Sequence, residues 1–147
     1  MFDELMSLAG ALEEAGIEYA LVGGLAVAVW GAPRATKDID LLVRAEAVEP
    51  ALAAMARRGF DLRALPLVFR DGMQLQRVSR AESGSLLTID LIVVDANLES
   101  AWASRRKLAT GDRALWVISR EALIAMKALA ARPQDIADIE RLKEIDR

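Results

Sequence analysis

Apolar positions along this chain switch several times between helical and strand spacing. Over residues 2–15, Leu5, Leu8, Leu12 and Ala15 recur at three- and four-residue steps, which predicts an amphipathic helix stopped at Gly16. Residues 17–22 (IEYALV) predict a mostly buried strand, broken by Gly23-Gly24. A short apolar helix over 25–30 follows and ends at Gly31-Ala32-Pro33, because Pro33 disfavours helix at the residue before it. Residues 38–43 predict a second strand. Residues 46–58 predict a helix with Val48, Leu52 and Met55 inward, and 60–62 a short strand. Asp71-Gly72 between apolar runs at 67–70 and 73–78 signals a hairpin, and Ser83-Gly84-Ser85 a further turn. Residues 86–94 (LLTIDLIVV) are the most apolar strand and are placed centrally.

Asn97 is a candidate cap for a helix over 98–106, and 107–117 reads as a small hairpin about Gly111-Asp112. Ser119, with Glu121 in the first turn, starts a helix to about residue 131, and Pro133 starts a last one to about residue 145. No linker, repeat or low-complexity segment interrupts this order. It predicts an α/β fold with a mixed sheet, in one domain of 147 residues: a core over about 1–95, then a hairpin and helices over about 97–147.

Composition narrows the chemistry. Apolar residues make up 54% of the chain, but no run reaches the roughly 18 residues of a membrane span. The acidic start MFDE is unlike a signal peptide, so a cytoplasmic protein is expected. With no cysteine and no histidine, disulfides, the usual zinc sites and Ser–His–Asp or Cys–His devices are excluded. Carboxylate chemistry with hard, oxygen-seeking metals is left. The net charge of −3 gives no overall attraction to nucleic acid.

Asp38 and Asp40 lie two apart on a strand, so both carboxylates share one face, while Ile39 and Leu41 point into the core. Such a pair repels itself unless a cation sits between, and Mg2+ commonly takes one or two carboxylates together with substrate phosphates. Asp90, flanked by Ile89 and Leu91, is the candidate third carboxylate, since a lone acid in so apolar a strand needs a partner; Asp95 is the weaker choice and fits a turn start. Gly23-Gly24, between strand and helix, lets backbone amides approach an anion, although a tight turn alone also explains a glycine pair. Arg34 and Thr36 read equally as ordinary loop, Lys127 as a solvent-facing helix residue, and Asp135 and Asp138 as surface charge near a helix start. The arginines at 57, 58, 63, 70, 77 and 80, and the cluster Arg105-Arg106-Lys107, read as a solvated face, with guidance of a polyanionic acceptor as the alternative. Trp30, Trp102 and Trp116 read as core or interface.

Gly23-Gly24 followed by Asp38-Ile39-Asp40-Leu41 resembles the signature of the DNA polymerase β-like nucleotidyltransferase superfamily. The run 34–40 (RATKDID) and the tail with Leu123, Lys127, Arg132, Asp135 and Asp138 are similar to the small bacterial branch of AbiEii-type toxins and minimal nucleotidyltransferases. The resemblance implies transfer of a nucleoside monophosphate from an NTP such as ATP to a hydroxyl acceptor, with release of pyrophosphate. It implies two Mg2+ ions (or Mn2+) on Asp38, Asp40 and Asp90, with Asp90 also helping to deprotonate the acceptor. Gly23 and Gly24 would contact the β- and γ-phosphates, with Arg34, Thr36, Lys37 and Lys127 adding charge or hydrogen bonds. The implied acceptor is RNA such as tRNA or a protein, with a small antibiotic-like molecule as the alternative. A toxin role, an antitoxin partner and a homo-oligomer are expectations of the same resemblance. The competing reading is a non-catalytic nucleotide-binding module on the same fold.

Overall fold

The computed structural model describes residues 1–33 and 35–145; Arg34, one of the expected phosphate contacts, lies outside the described residues. Helix α1 (Phe2–Glu14) buries Leu5, Leu8 and Leu12 as the spacing predicts. Gly16 adopts φ 72°, and the Ile17 amide donates back to the Leu12 carbonyl at 2.9 Å. This closes the helix in the Schellman manner. The cap takes up the Ile17 amide, and β1 covers Ala20–Val22 rather than residues 17–22.

The chain continues through α2 (Gly23–Val29), β2 (Asp38–Val43), a 3-10 turn (Ala45–Ala47), α3 (Val48–Ala56), β3 (Leu62–Arg63), β4 (Leu67–Val68), β5 (Gln74–Glu82) and β6 (Ser85–Val93). It ends with α4 (Glu99–Ala103), β7 (Arg106–Thr110), β8 (Arg113–Val117), α5 (Arg120–Ala130) and α6 (Pro133–Lys143). Among the described residues these strands form one mixed eight-stranded sheet in the order β3-β5-β6-β2-β1-β8-β7, with β4 also paired to β5. The expected α/β fold with a mixed sheet is therefore the one observed. No helix among the described residues is long and apolar enough to cross a membrane.

Three local readings change. Phe60 is not in a strand; it is fully buried, with the Arg80 guanidinium 4.6 Å from its ring centre. Asn97 does not cap α4. The Leu98 amide donates instead to Asp95 Oδ1 at 3.0 Å, which makes Asp95 the turn-forming acid. The start of β6 projects beyond the core and leaves Leu86 exposed, while Ile89 and Leu91 are fully buried.

Two connections position the cleft described below. β8 lies beside β1 and parallel to it, with Leu21 opposite Val117. The next residue but one, Ser119, caps α5 by accepting the Ala122 amide at 3.0 Å. Trp30 Nε1 donates to the Ile118 carbonyl at 3.0 Å, which ties the end of α2 to the start of α5. The carboxyl end of β1, the start of α2 and the inner face of α5 are thereby held together. Several of the basic residues outside the cleft are engaged in the fold: Arg63 with Glu49, Arg80 with Glu4 and Glu82, and Arg105 with Glu18 while stacked on Trp102.

Candidate active site

The sheet register builds one rung of the site. Arg77 on β5 lies opposite Asp90 on β6, Asp90 beside Asp40 on β2, and Asp40 beside Val22 on β1, where the chain turns into Gly23. Asp38 stands two residues before Asp40 on the same face, and Ile39 and Leu41 point the other way and are fully buried. Of the residues singled out from the sequence, Gly23, Gly24, Thr36, Lys37, Asp38, Asp40, Asp90 and Lys127 all line one cleft of about 790 Å3.

Gly23 has φ 73°, and a Cβ placed there would lie 2.2 Å from Asp40 Oδ2. Only glycine leaves room for that carboxylate beside the β1–α2 turn. Gly23→Ala combines left-handed strain of about 1–2 kcal/mol with displacement of Asp40. We expect a lower unfolding midpoint in calorimetry and weaker Mn2+ binding in titration; an unchanged Mn2+ affinity would show that Asp40 can shift without consequence.

Crowding sets the electrostatics. Burial, then the neighbouring Asp90 and Asp38 charges, push the Asp40 carboxyl up to about 7, while Lys127 and Arg77 pull it down. Asp90 is only 5% exposed, and Arg77 grips it with both ends of its fork: Nε donates to Oδ1 at 2.8 Å and Nη2 to Oδ2 at 3.0 Å. That bond and the Asp90 charge hold the Arg77 guanidinium above its ordinary range.

The opposite wall differs from the surface charges expected there. Lys127 is 6% exposed and faces inward on α5, in line with the buried Leu123. Its ammonium pairs with Asp138 Oδ2 at 2.9 Å and Asp135 Oδ1 at 3.3 Å. Both acids are buried, not solvated. Asp135 also accepts from Arg132 Nε at 2.6 Å and from the Arg132 amide, and the bond to the Arg132 side chain holds its carboxyl below the ordinary range. The acids belong to the buried face of α6 together with Leu142, so the helix-start reading covered only their position in the chain. Arg77 and Arg132 are the cleft cations that sequence reasoning did not put forward as ligands, and Phe69, Met73, Leu75 and Ile92 form an apolar wall it did not foresee.

The donor set is all oxygen, which suits a hard divalent cation at Asp38 and Asp40. Among the described residues no group of three or more such ligands is disposed to hold a metal, and the third carboxylate, Asp90, is engaged by Arg77. A cation reaching Asp90 must therefore replace or pass that guanidinium.

The chain belongs to the family described as nucleotidyltransferase of unknown function (DUF6036), whose model matches residues 1–147. No curated protein matches it in a sequence comparison. Among solved structures it is similar to the lincosamide antibiotic adenylyltransferase LnuA in its lincomycin-bound form, with 18% identity, TM-score 0.72, and 99% of this chain and 98% of that one covered. The Thermotoga maritima protein TM1012 superposes with 14% identity and TM-score 0.70 over 95% of this chain and 90% of that one. ANT(2")-Ia, in complex with adenylyl-2"-tobramycin, gives 18% identity and TM-score 0.65 over 95% and 86%. These likenesses show the fold; it is the family match that makes the chain a nucleotidyltransferase, and neither points to the AbiEii-type branch.

Proposed function

We propose that this protein is an active enzyme that moves a nucleoside monophosphate from an NTP to a hydroxyl of a small acceptor, releasing pyrophosphate. The observation that carries the reading is the rung itself. Asp40 and Asp90 sit side by side, Asp38 shares their face, and Gly23 leaves the space in which Asp40 stands. As one nucleotidyltransferase domain in the cytoplasm, the chain would draw NTP and Mg2+ from its surroundings.

Asp38 and Asp40 would hold divalent cations, Mg2+ or Mn2+, with Asp90 completing the set. Such ions supply charge stabilisation at the attacking and leaving oxygens of an in-line displacement. The chain's own groups do the rest. The amides around Gly23 and Gly24 approach the phosphates without side-chain obstruction. Lys127, held by two buried acids, presents a fixed positive charge from the opposite wall, and Arg132, Lys37 and Thr36 stand at the same rim. Asp90, the most buried of the three carboxylates, would accept the proton of the incoming hydroxyl.

Three acceptor classes were open: RNA, protein and small molecule. The apolar wall of Phe69, Met73, Leu75 and Ile92 beside the acids supports a small hydroxylated molecule with an apolar body. Of the arginines that could guide a polyanion, Arg63, Arg80 and Arg105 are paired to acids. LnuA and ANT(2")-Ia, whose structures hold lincomycin and an adenylylated tobramycin, supply the analogy. A toxin role would rest on the AbiEii-type resemblance alone.

The test uses purified protein, Mg2+ and each α-labelled NTP in turn, with a panel of hydroxylated small molecules, total RNA and mixed protein as acceptors. Label on a small molecule supports the proposal. Label on RNA or protein keeps the transferase and moves the acceptor class. Nucleotide binding without transfer to any acceptor would favour the non-catalytic module.

A further inference from the structure

Arg77 holds the carboxylate that the proposed reaction needs. It faces Asp90 directly across the β5–β6 pair and engages both carboxylate oxygens, so a cation can use Asp90 as a ligand only in competition with the guanidinium. The two partners differ in freedom. The Asp90 side chain is 7% exposed and fixed in an interior strand, whereas the Arg77 side chain is 46% exposed and lies along the cleft wall. The arginine is the partner that can leave, because its stem can swing to solvent or to a phosphate while its head stays hydrated.

We propose that Arg77 is a displaceable counter-ion that keeps the third carboxylate neutralised until metal-bound nucleotide enters, and then turns to the anion it has admitted. This rests on the assignment of Asp90 as a metal ligand made above. It adds a coupling: without nucleotide the site holds divalent metal weakly, and nucleotide raises metal affinity by giving Arg77 an alternative anionic partner. The rung supports this order. With Arg77 in place, Asp90 is neutralised beside an already crowded Asp40; with Arg77 removed, Asp90 joins Asp40 and Asp38 as a third uncompensated carboxylate, a repulsion that a bound divalent cation relieves.

The experiment is Mn2+ titration, followed by electron paramagnetic resonance, on nucleotide-free wild type, Arg77→Ala and Arg77→Lys, repeated with a non-hydrolysable ATP analogue. Arg77→Ala should bind Mn2+ at least tenfold more tightly than wild type without nucleotide. Arg77→Lys, which keeps the charge but loses the fork, should fall between. The analogue should tighten Mn2+ binding to wild type at least tenfold and to Arg77→Ala much less. In the wild-type protein the Arg77 Nε–H signal, set by its bond to Asp90, should shift when Mg2+ and the analogue are added; this needs no variant to fold. Equal nucleotide-free Mn2+ affinity in the three proteins, or an Nε–H signal unmoved by ligand, overturns the inference while leaving the transferase standing. Absence of Mn2+ binding in every protein, with and without nucleotide, overturns both.

Discussion

Asp40→Asn should give a protein that is more stable than wild type near neutral pH and nearly inactive. The carboxyl is held near 7 by burial and by two neighbouring acids, against an ordinary value of 3.8 in the unfolded chain. A folded value above the unfolded one means the folded state binds the extra proton. The contribution is fully present below about pH 4 and is lost as pH rises through 7. At about 1.4 kcal/mol per unit, the loss is of the order of a few kcal/mol. In denaturant titrations of metal-free protein, Asp40→Asn should therefore gain on wild type progressively between pH 4 and 8, and added Mg2+ should recover the wild type but not the variant. Transfer should fall about 10^3-fold, because a ligand to the charge-stabilising ion contributes several kcal/mol to the barrier. A variant with ordinary activity would remove Asp40 from the site. A gain that does not depend on pH would remove the repulsion argument.

The second large effect belongs to Lys127→Met. The substitution preserves length and apolar stem but takes the cation from two buried acids, of which Asp138 is 0% exposed. Breaking a buried pair from one side costs about 3–5 kcal/mol. Asp135 keeps Arg132, and Asp138 keeps the Gln134 amide, which donates to its Oδ1 at 3.1 Å. Pairing the change with Asp138→Leu should recover part of it, because both members of the buried pair are then replaced by apolar groups. Equilibrium unfolding in urea of the two single variants and the double variant measures this. A cost below about 1 kcal/mol for Lys127→Met would mean that water reaches the site and that the lysine is not a fixed charge.

Much of this was legible in the chain. The acid pair two apart on a strand fixes a shared face by geometry alone, and β2 spans the expected residues 38–43. The glycine pair was readable as a close approach, although nothing in the sequence says that the neighbour would be Asp40 itself. Arg77 was readable in principle and was missed. A two-residue turn at Ser83-Gly84 pairs Glu82 with Ser85, and counting back along both strands brings Arg77 opposite Asp90. Asp135, Asp138 and Leu142 recur at three- and four-residue steps, which marks one helix face, and Lys127 sits four residues after the buried Leu123. Those spacings conflict with the rule that charges stay outside, and the rule yields where charges neutralise one another. The cleft's apolar wall was beyond reach, because it is assembled from the β4–β5 hairpin and β6, whose relative placement depends on the whole sheet.

The β5–β6 hairpin also has a bearing on how the molecule is made. Arg77 and Asp90 are 13 residues apart and share a local hairpin, while Asp40 meets Asp90 across about fifty residues of chain. Closing a short loop precedes closing a long one, and hairpins form in microseconds. The acid can thus enter the interior already paired with its arginine, and the parallel strand that carries Asp40 docks against a hairpin whose charge has been cancelled beforehand. The same contact that guards the third carboxylate in the finished protein would spare the folding chain the desolvation of a bare anion.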